Sequence, residues 1–176
     1  MARISAGLKV VSLSIGLAAG IAASPSQAQG LVTMHKLSAA LANELVGEAV
    51  AVCAQKNYVV TAVVVDLDGV RQALLRGNGA AIHTLDNAFY KAYSSASLTL
   101  GRKEDSTKAV AARMSKNAPS TVPQTPLPNV TYATGGVAIM AGGSIIGGIG
   151  VSGAPGGQFD DDCARAALAK IADRMK

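Results

Sequence analysis

Aromatic side chains are nearly missing from this chain: its 176 residues include no Trp, two Phe and four Tyr. A row of stacking platforms for single-stranded nucleic acid needs more than that, so nucleic acid is not an expected partner. Histidine is as scarce, with His35 and His83 alone, and neither a His-Glu-x-x-His nor a Gly-x-Ser-x-Gly elbow is present to support hydrolysis. The two cysteines, Cys53 and Cys163, sit in neither a Cys-x-x-Cys nor a Cys-x-x-Cys-His, which excludes a thioredoxin-like pair and covalent c-type haem attachment. Charge is also sparse, at 15% of residues against 49% hydrophobic, far from the composition of a disordered chain. What is abundant is glycine: ten of the nineteen fall between 135 and 157. They form no Walker motif, because no Gly-Lys-Ser/Thr follows and the segment leads to an acidic helix start that repels phosphate.

The first 28 residues read as a secretory signal peptide. Arg3 and Lys9 make a positive start, Val10 to Ala23 is an uncharged apolar run, and Ser26-Gln27-Ala28 carries the small residues of a cleavage site. The run is short of the roughly 20 apolar residues that span a membrane. Cleavage near Ala28 leaves one domain, residues 29–176, in the periplasm or outside the cell. The formal net charge of +5 falls to +3 when Arg3 and Lys9 are removed, 14 basic residues against 11 acidic, and then implies little about partners. An oxidising compartment permits a disulfide between Cys53 and Cys163, closing a loop of about a hundred residues and stabilising by up to about 4.7 kcal/mol in the chain-entropy model. Two separately buried thiols are the equal alternative.

Along the mature chain, Leu37, Leu41, Leu45 and Ala49 recur at helical spacing, predicting a helix over Leu37 to Lys56. Tyr58 to Val65 is a β-branched run that predicts a buried strand, and the Asp66 to Gly69 turn returns it as Val70 to Arg76. From Thr84, a fitting cap, Leu85, Ala88, Ala92 and Ala96 form a narrow stripe that lets a helix lie close on a sheet. A further helix is expected over Glu104 to Lys116. Residues 117–130, with Pro119, Pro123, Pro126 and Pro128, suit only a loop. Val137 to Ala141 and Ser144 to Val151 make a second hairpin, whose internal glycines mark the close approach of another backbone or a ligand. Asp160, Asp161 and Asp162 open a last helix to Met175, where carboxylates suit the positive end of the helix dipole better than they suit a shared cation. Helix, hairpin, one or two helices, hairpin, helix is an α+β order.

The stretches Val64-Val65-Asp66-Leu67-Asp68-Gly69, Leu75-Arg76-Gly77-Asn78-Gly79-Ala80, Lys91-Ala92-Tyr93-Ser94-Ser95-Ala96-Ser97, Gly135-Gly136-Val137-Ala138-Ile139 and Ile146-Gly147-Gly148-Ile149-Gly150-Val151-Ser152-Gly153 resemble, in order, the GlcG/HbpS-like family. The glycine-rich strand ending in Val-Ser-Gly is the most specific of these. The resemblance implies a profilin-like three-layer α/β/α domain with an antiparallel sheet of about five strands. It also implies an exported haem-binding protein, serving haem sensing, carriage or sequestration, assembled as a homo-oligomer, with a membrane sensor as partner. Other members of the family stand in glycolate or diol-utilisation operons, so the alternatives are an enzyme of hydroxy-acid metabolism using the same pocket and a structural partner protein. A binding role is preferred to an enzymatic one.

Haem needs apolar walls, an axial ligand and cationic or hydroxyl partners for its propionates. His83 is the first candidate for the iron, because Gly77, Gly79 and Ala80 allow a flat ligand close to the backbone before it; the alternative is a ring that caps the following helix or faces solvent. His35 would serve only if its segment folds back over the domain. Arg76 and Lys91, with Arg71, are the basic residues placed to meet propionates or another small anionic ligand, or else are ordinary surface charge. Tyr93, three residues after Tyr90, either ligates or stacks on a macrocycle, or packs. A metal-free acid/base enzyme would draw on Asp66, Asp68 or Glu44.

Overall fold

The computed structural model describes residues 30–117 and 125–175. The expected signal peptide and the centre of the proline-rich loop lie outside the described residues. All elements belong to the unit Met34–Lys176. They are α1 (Ala39–Gln55), β1 (Thr61–Asp66), β2 (Arg71–Arg76), α2 (Thr84–Leu98), α3 (Thr107–Asn117), β3 (Gly136–Ala141), β4 (Ser144–Ser152) and α4 (Gly157–Ile171), closed by a 3-10 turn at Ala172–Arg174. No described helix is long and apolar enough to cross a membrane.

Local chemistry explains the boundaries. The Ser38 hydroxyl accepts the Leu41 N–H at 3.2 Å and caps α1, a contact worth about 1 kcal/mol. The Asp66 carboxylate accepts the N–H groups of Asp68 and Val70 at 3.1 and 3.0 Å, so the first hairpin turn is built by its own aspartate. The cap expected at Thr84 is instead the first residue of α2, with His83 before it; the Thr84 hydroxyl donates to the Ala81 carbonyl and meets Thr61.

The sheet is antiparallel throughout, in the order β2-β1-β4-β3. Every residue of β1 is buried, because β1 is central and covered on both faces. Ala62 and Val64 point to α1 and α4, sharing a core with Leu45, Val46, Ile149 and Ala167. Val63 and Val65 point the other way, to Ala88, Phe89, Ala92 and Ala96 of α2. This is the three-layer α/β/α arrangement. It has four strands among the described residues where about five were expected. At the outer edge of β3 the chain makes only a single bridge, Ser106 to Val137, and the Asp105 carbonyl accepts the Ala138 N–H; that segment then turns into α3 instead of running on as a strand.

Two of the three glycines of β4 serve helix packing, while Gly147 lies against the Val65 carbonyl of β1. Gly148 and Gly150 lie opposite Val65 and Val63 of β1, on the face that carries α2. A Cβ at Gly150 would run into the Ala88 carbonyl oxygen, and one at Gly148 into that of Ala92. Backbone therefore rests on backbone, and the alanine stripe of α2 is the complementary surface. Gly150→Ala is expected to cost about 1–3 kcal/mol through overpacking. Urea unfolding checks it, and undiminished stability would mean that α2 rides free of β4.

Cys53 of α1 and Cys163 of α4 are both wholly buried and joined as a disulfide, with Cα atoms 5.6 Å apart. The pairing ties the two helices of one layer together and decides between the two readings of the cysteines.

Candidate functional site

Two helices begin at the same end of the sheet. α2 starts beside the last residues of β2, and α4 starts just after β4, so both N-termini face one cleft of about 470 Å³ at the exit of β4. Thr84, Asn87 and Lys91 line it from α2, at the spacing of one helical face. Ser152 ends β4 on the opposite wall, and Gly157, Gln158 and Asp160 enter from α4. Val59, Ala81, Ala133 and Ala154 supply its apolar wall. His83 stands at the mouth, exposed and making no side-chain cap bond to α2.

The floor of the cleft is a buried ion pair. Lys91 and Asp160 are each about 3% exposed, and the Lys91 ammonium donates to Asp160 Oδ2 at 2.7 Å and to the Val151 carbonyl at 3.0 Å. Asp160 Oδ1 accepts the Ala154 N–H at 3.0 Å. Burial pushes the Asp160 carboxyl above the usual carboxylate range, and the attraction of Lys91 offsets this only in part. Above the pair, the Asn87 amide donates to Ser152 Oγ at 2.9 Å, which leaves the Ser152 proton for the cleft.

Of the residues singled out in the sequence, the structure brings His83 and Lys91 together. It places the other three elsewhere. The Arg76 guanidinium donates through Nε, at 2.7 Å, and through Nη2 to the Ala80 carbonyl, bracing the loop that precedes the cleft. Tyr93 leans on Gly69 and meets the Phe89 ring edge-on at 6.0 Å, in packing. His35 lines a separate hollow of about 390 Å³ with Leu41, Ile146 and Met175. Arg71 lies 3.5 Å over the Phe89 ring. Lys91 is a buried charge rather than surface charge, and the aspartates divide their duties: Asp160 pairs with Lys91, Asp161 with Arg165 four residues on, and Asp162 is exposed. α4 starts three residues before them, at Gly157. The carboxylates weighed as an acid/base set are also apart, Asp66 holding its turn and Glu44 paired with Arg174, which holds the Glu44 carboxyl below its usual range.

Sequence reasoning missed Asn87, Gln158 and the partnership of Lys91 with Asp160. The first two carry no motif, and the pair is 69 residues apart. Ser152 was visible only as part of the Val-Ser-Gly strand end.

A family model described as "Haem degrading protein HbpS-like" matches residues 37–169. The chain belongs to the HbpS-like family. This bears out the resemblance read from the glycine-rich strand and its companions. Among solved structures the chain is similar to HbpS, at 28% identity and a TM-score of 0.72, over 84% of this chain and 99% of that one. A double mutant of HbpS from Streptomyces reticuli is 30% identical, with a TM-score of 0.71 over 85% of this chain and 98% of that one. The PduOC:heme complex is 25% identical, with a TM-score of 0.67 over 78% and 96%. No curated protein matches the chain.

Proposed function

We propose that this HbpS-like protein binds haem at the mouth of the cleft, with His83 as the iron ligand. The carrying observation is the His83 imidazole, exposed at the rim of a cleft and unused as a helix cap. The residues present suit the group. Val59, 47% exposed, lines the cleft with apolar surface, and Lys91 and Ser152 offer donors to propionates from below. Haem, when bound, supplies a redox-active iron; the chain supplies the imidazole, the aliphatic wall and the donors. With so few aromatics, that wall is aliphatic by composition.

The rest of the reading concerns place and assembly. We read the protein as exported, and the buried disulfide supports this because the cytosol keeps thiols reduced. A homo-oligomer is supported by Leu74 and Leu75, which stand 43% and 41% exposed on the edge strand β2. Sensing, carriage or sequestration of haem, with a membrane sensor as partner, rests on the family resemblance.

Titrating haemin into the purified protein is expected to give a saturable Soret band. In His83→Ala the band shifts and affinity falls by roughly tenfold or more, since even the loss of a group that only orients a metal ligand costs 10–100-fold. A wild type without a saturable spectrum overturns the haem reading. A variant identical to wild type overturns the ligand assignment alone.

A further inference from the structure

We propose that the corner formed by the α2–α3 connection and α3 is a docking surface for an anionic phospholipid membrane. The net charge of residues 29–176 is only +3, but it is concentrated. Residues 102–116 hold five basic and two acidic side chains, a net of +3, so the rest of that range, nine basic against nine acidic, nets to zero. Both acids of the stretch are already engaged, Glu104 by Arg113 and Asp105 by Arg165. Arg102, Lys103, Lys108 and Lys116 are all exposed and make no ion pair among the described residues. Four uncompensated cations thus share one short stretch of chain.

Apolar surface accompanies the charge. Leu100 and Leu127, 54% and 50% exposed, line a hollow of about 300 Å³ with Arg102, against Val110 of α3. Thr107, Val110 and Met114 are the buried side of α3, which leaves Lys108 and Lys116, eight residues apart, on its solvent side. Cations beside exposed leucines suit the boundary of a bilayer, where anionic headgroups draw the charges and the acyl region takes the apolar side chains. A soluble polyanion would use the charges and leave the leucines in water; a bilayer uses both. The surface acts without haem, so the proposal stands apart from the haem reading.

The test is flotation of the purified, haem-free protein with vesicles of equimolar phosphatidylglycerol and phosphatidylcholine, and with vesicles of phosphatidylcholine alone. The protein is expected to float with the anionic vesicles only, and to be released as salt is raised. Lys103→Gln and Lys108→Gln should each weaken binding about fivefold, whereas Lys56→Gln, which removes an exposed cation at the end of α1, leaves it unchanged. Leu100→Ser with Leu127→Ser should weaken binding several-fold with no change in charge. All of these side chains are exposed, so the fold is retained. Absence of binding to the anionic vesicles would assign the surface to a protein receptor and overturn the proposal. Equal binding to phosphatidylcholine, insensitivity to salt, or an equal loss in Lys56→Gln would overturn it as well. Full binding by the double leucine variant would reduce the surface to a general anion attractor and do the same.

Discussion

Lys91→Met is expected to lower the unfolding free energy by about 3–5 kcal/mol at neutral pH, the usual cost of stranding one member of a buried ion pair. The ammonium is the only cation in contact with Asp160 among the described residues, and it also satisfies the Val151 carbonyl. Without it the carboxylate remains buried with a single N–H donor, that of Ala154. The pH dependence has a definite sign. Burial already raises the Asp160 carboxyl, with Lys91 as the leading opposing influence, so the variant raises it further. A carboxyl raised in the folded state binds its proton more tightly there than when unfolded, which favours folding at low pH and is lost as pH rises. The deficit of Lys91→Met is therefore fullest above the raised value and shrinks as pH falls from there toward the ordinary carboxylate range. Lys91→Met with Asp160→Leu should recover most of the loss, since apolar replacement of a whole buried pair is often neutral. Urea unfolding of the three variants at pH 7 and pH 4.5 measures this. A deficit below about 1 kcal/mol at pH 7, or one that grows on acidification, would sink the account.

Reducing the Cys53–Cys163 bond is expected to cost about 2–5 kcal/mol, mostly by releasing the unfolded chain. The cysteines are 110 residues apart, so the bond closes nearly the whole folded domain, and longer loops confine the unfolded ensemble more. Both sulfurs are fully buried in the layer shared by α1 and α4, so a reductant reaches them only when the helices separate. The bond should survive mild reductant in the native state and be lost on reduction in denaturant. Refolded reduced protein should then unfold at lower urea and lower temperature, by about 2–4 °C for each kcal/mol. Reduction retains the core volume of both thiols, which Cys53→Ala with Cys163→Ala does not. Coincident unfolding curves for oxidised and fully reduced protein would refute the stabilising role.

The layout of the domain was legible because its signals are local. The stripe Leu41, Leu45, Ala49 repeats every four residues and buries Leu45 and Ala49 in α1; the β-branched run ending at Val65 can only be a strand covered on both faces, and β1 is buried at all six positions. The glycines of β4 announced a close approach, and what approaches is α2 at Gly148 and Gly150 and the β1 backbone at Gly147. The cleft was less legible. Lys91 looked like a surface lysine on a helix, and Asp160 like a carboxylate at a helix start, because the charge of each was visible and its partner was not. Tyr93, three residues from Tyr90 on a helix, turned inward to packing because Gly69 leaves room for its ring.

The sequence by itself determined the elements, their order, the helix that lies close on its sheet and the family, all of which rest on residues within one turn or one strand of each other. Only the tertiary structure decided that the cysteines are joined, that Lys91 and Asp160 share a buried bond, that His83 stands over them, and that Arg76, Tyr93 and His35 do not join them. Those outcomes depend on the meeting of segments far apart in the chain, where burial raises the energy of every unpaired charge and leaves few arrangements that satisfy it.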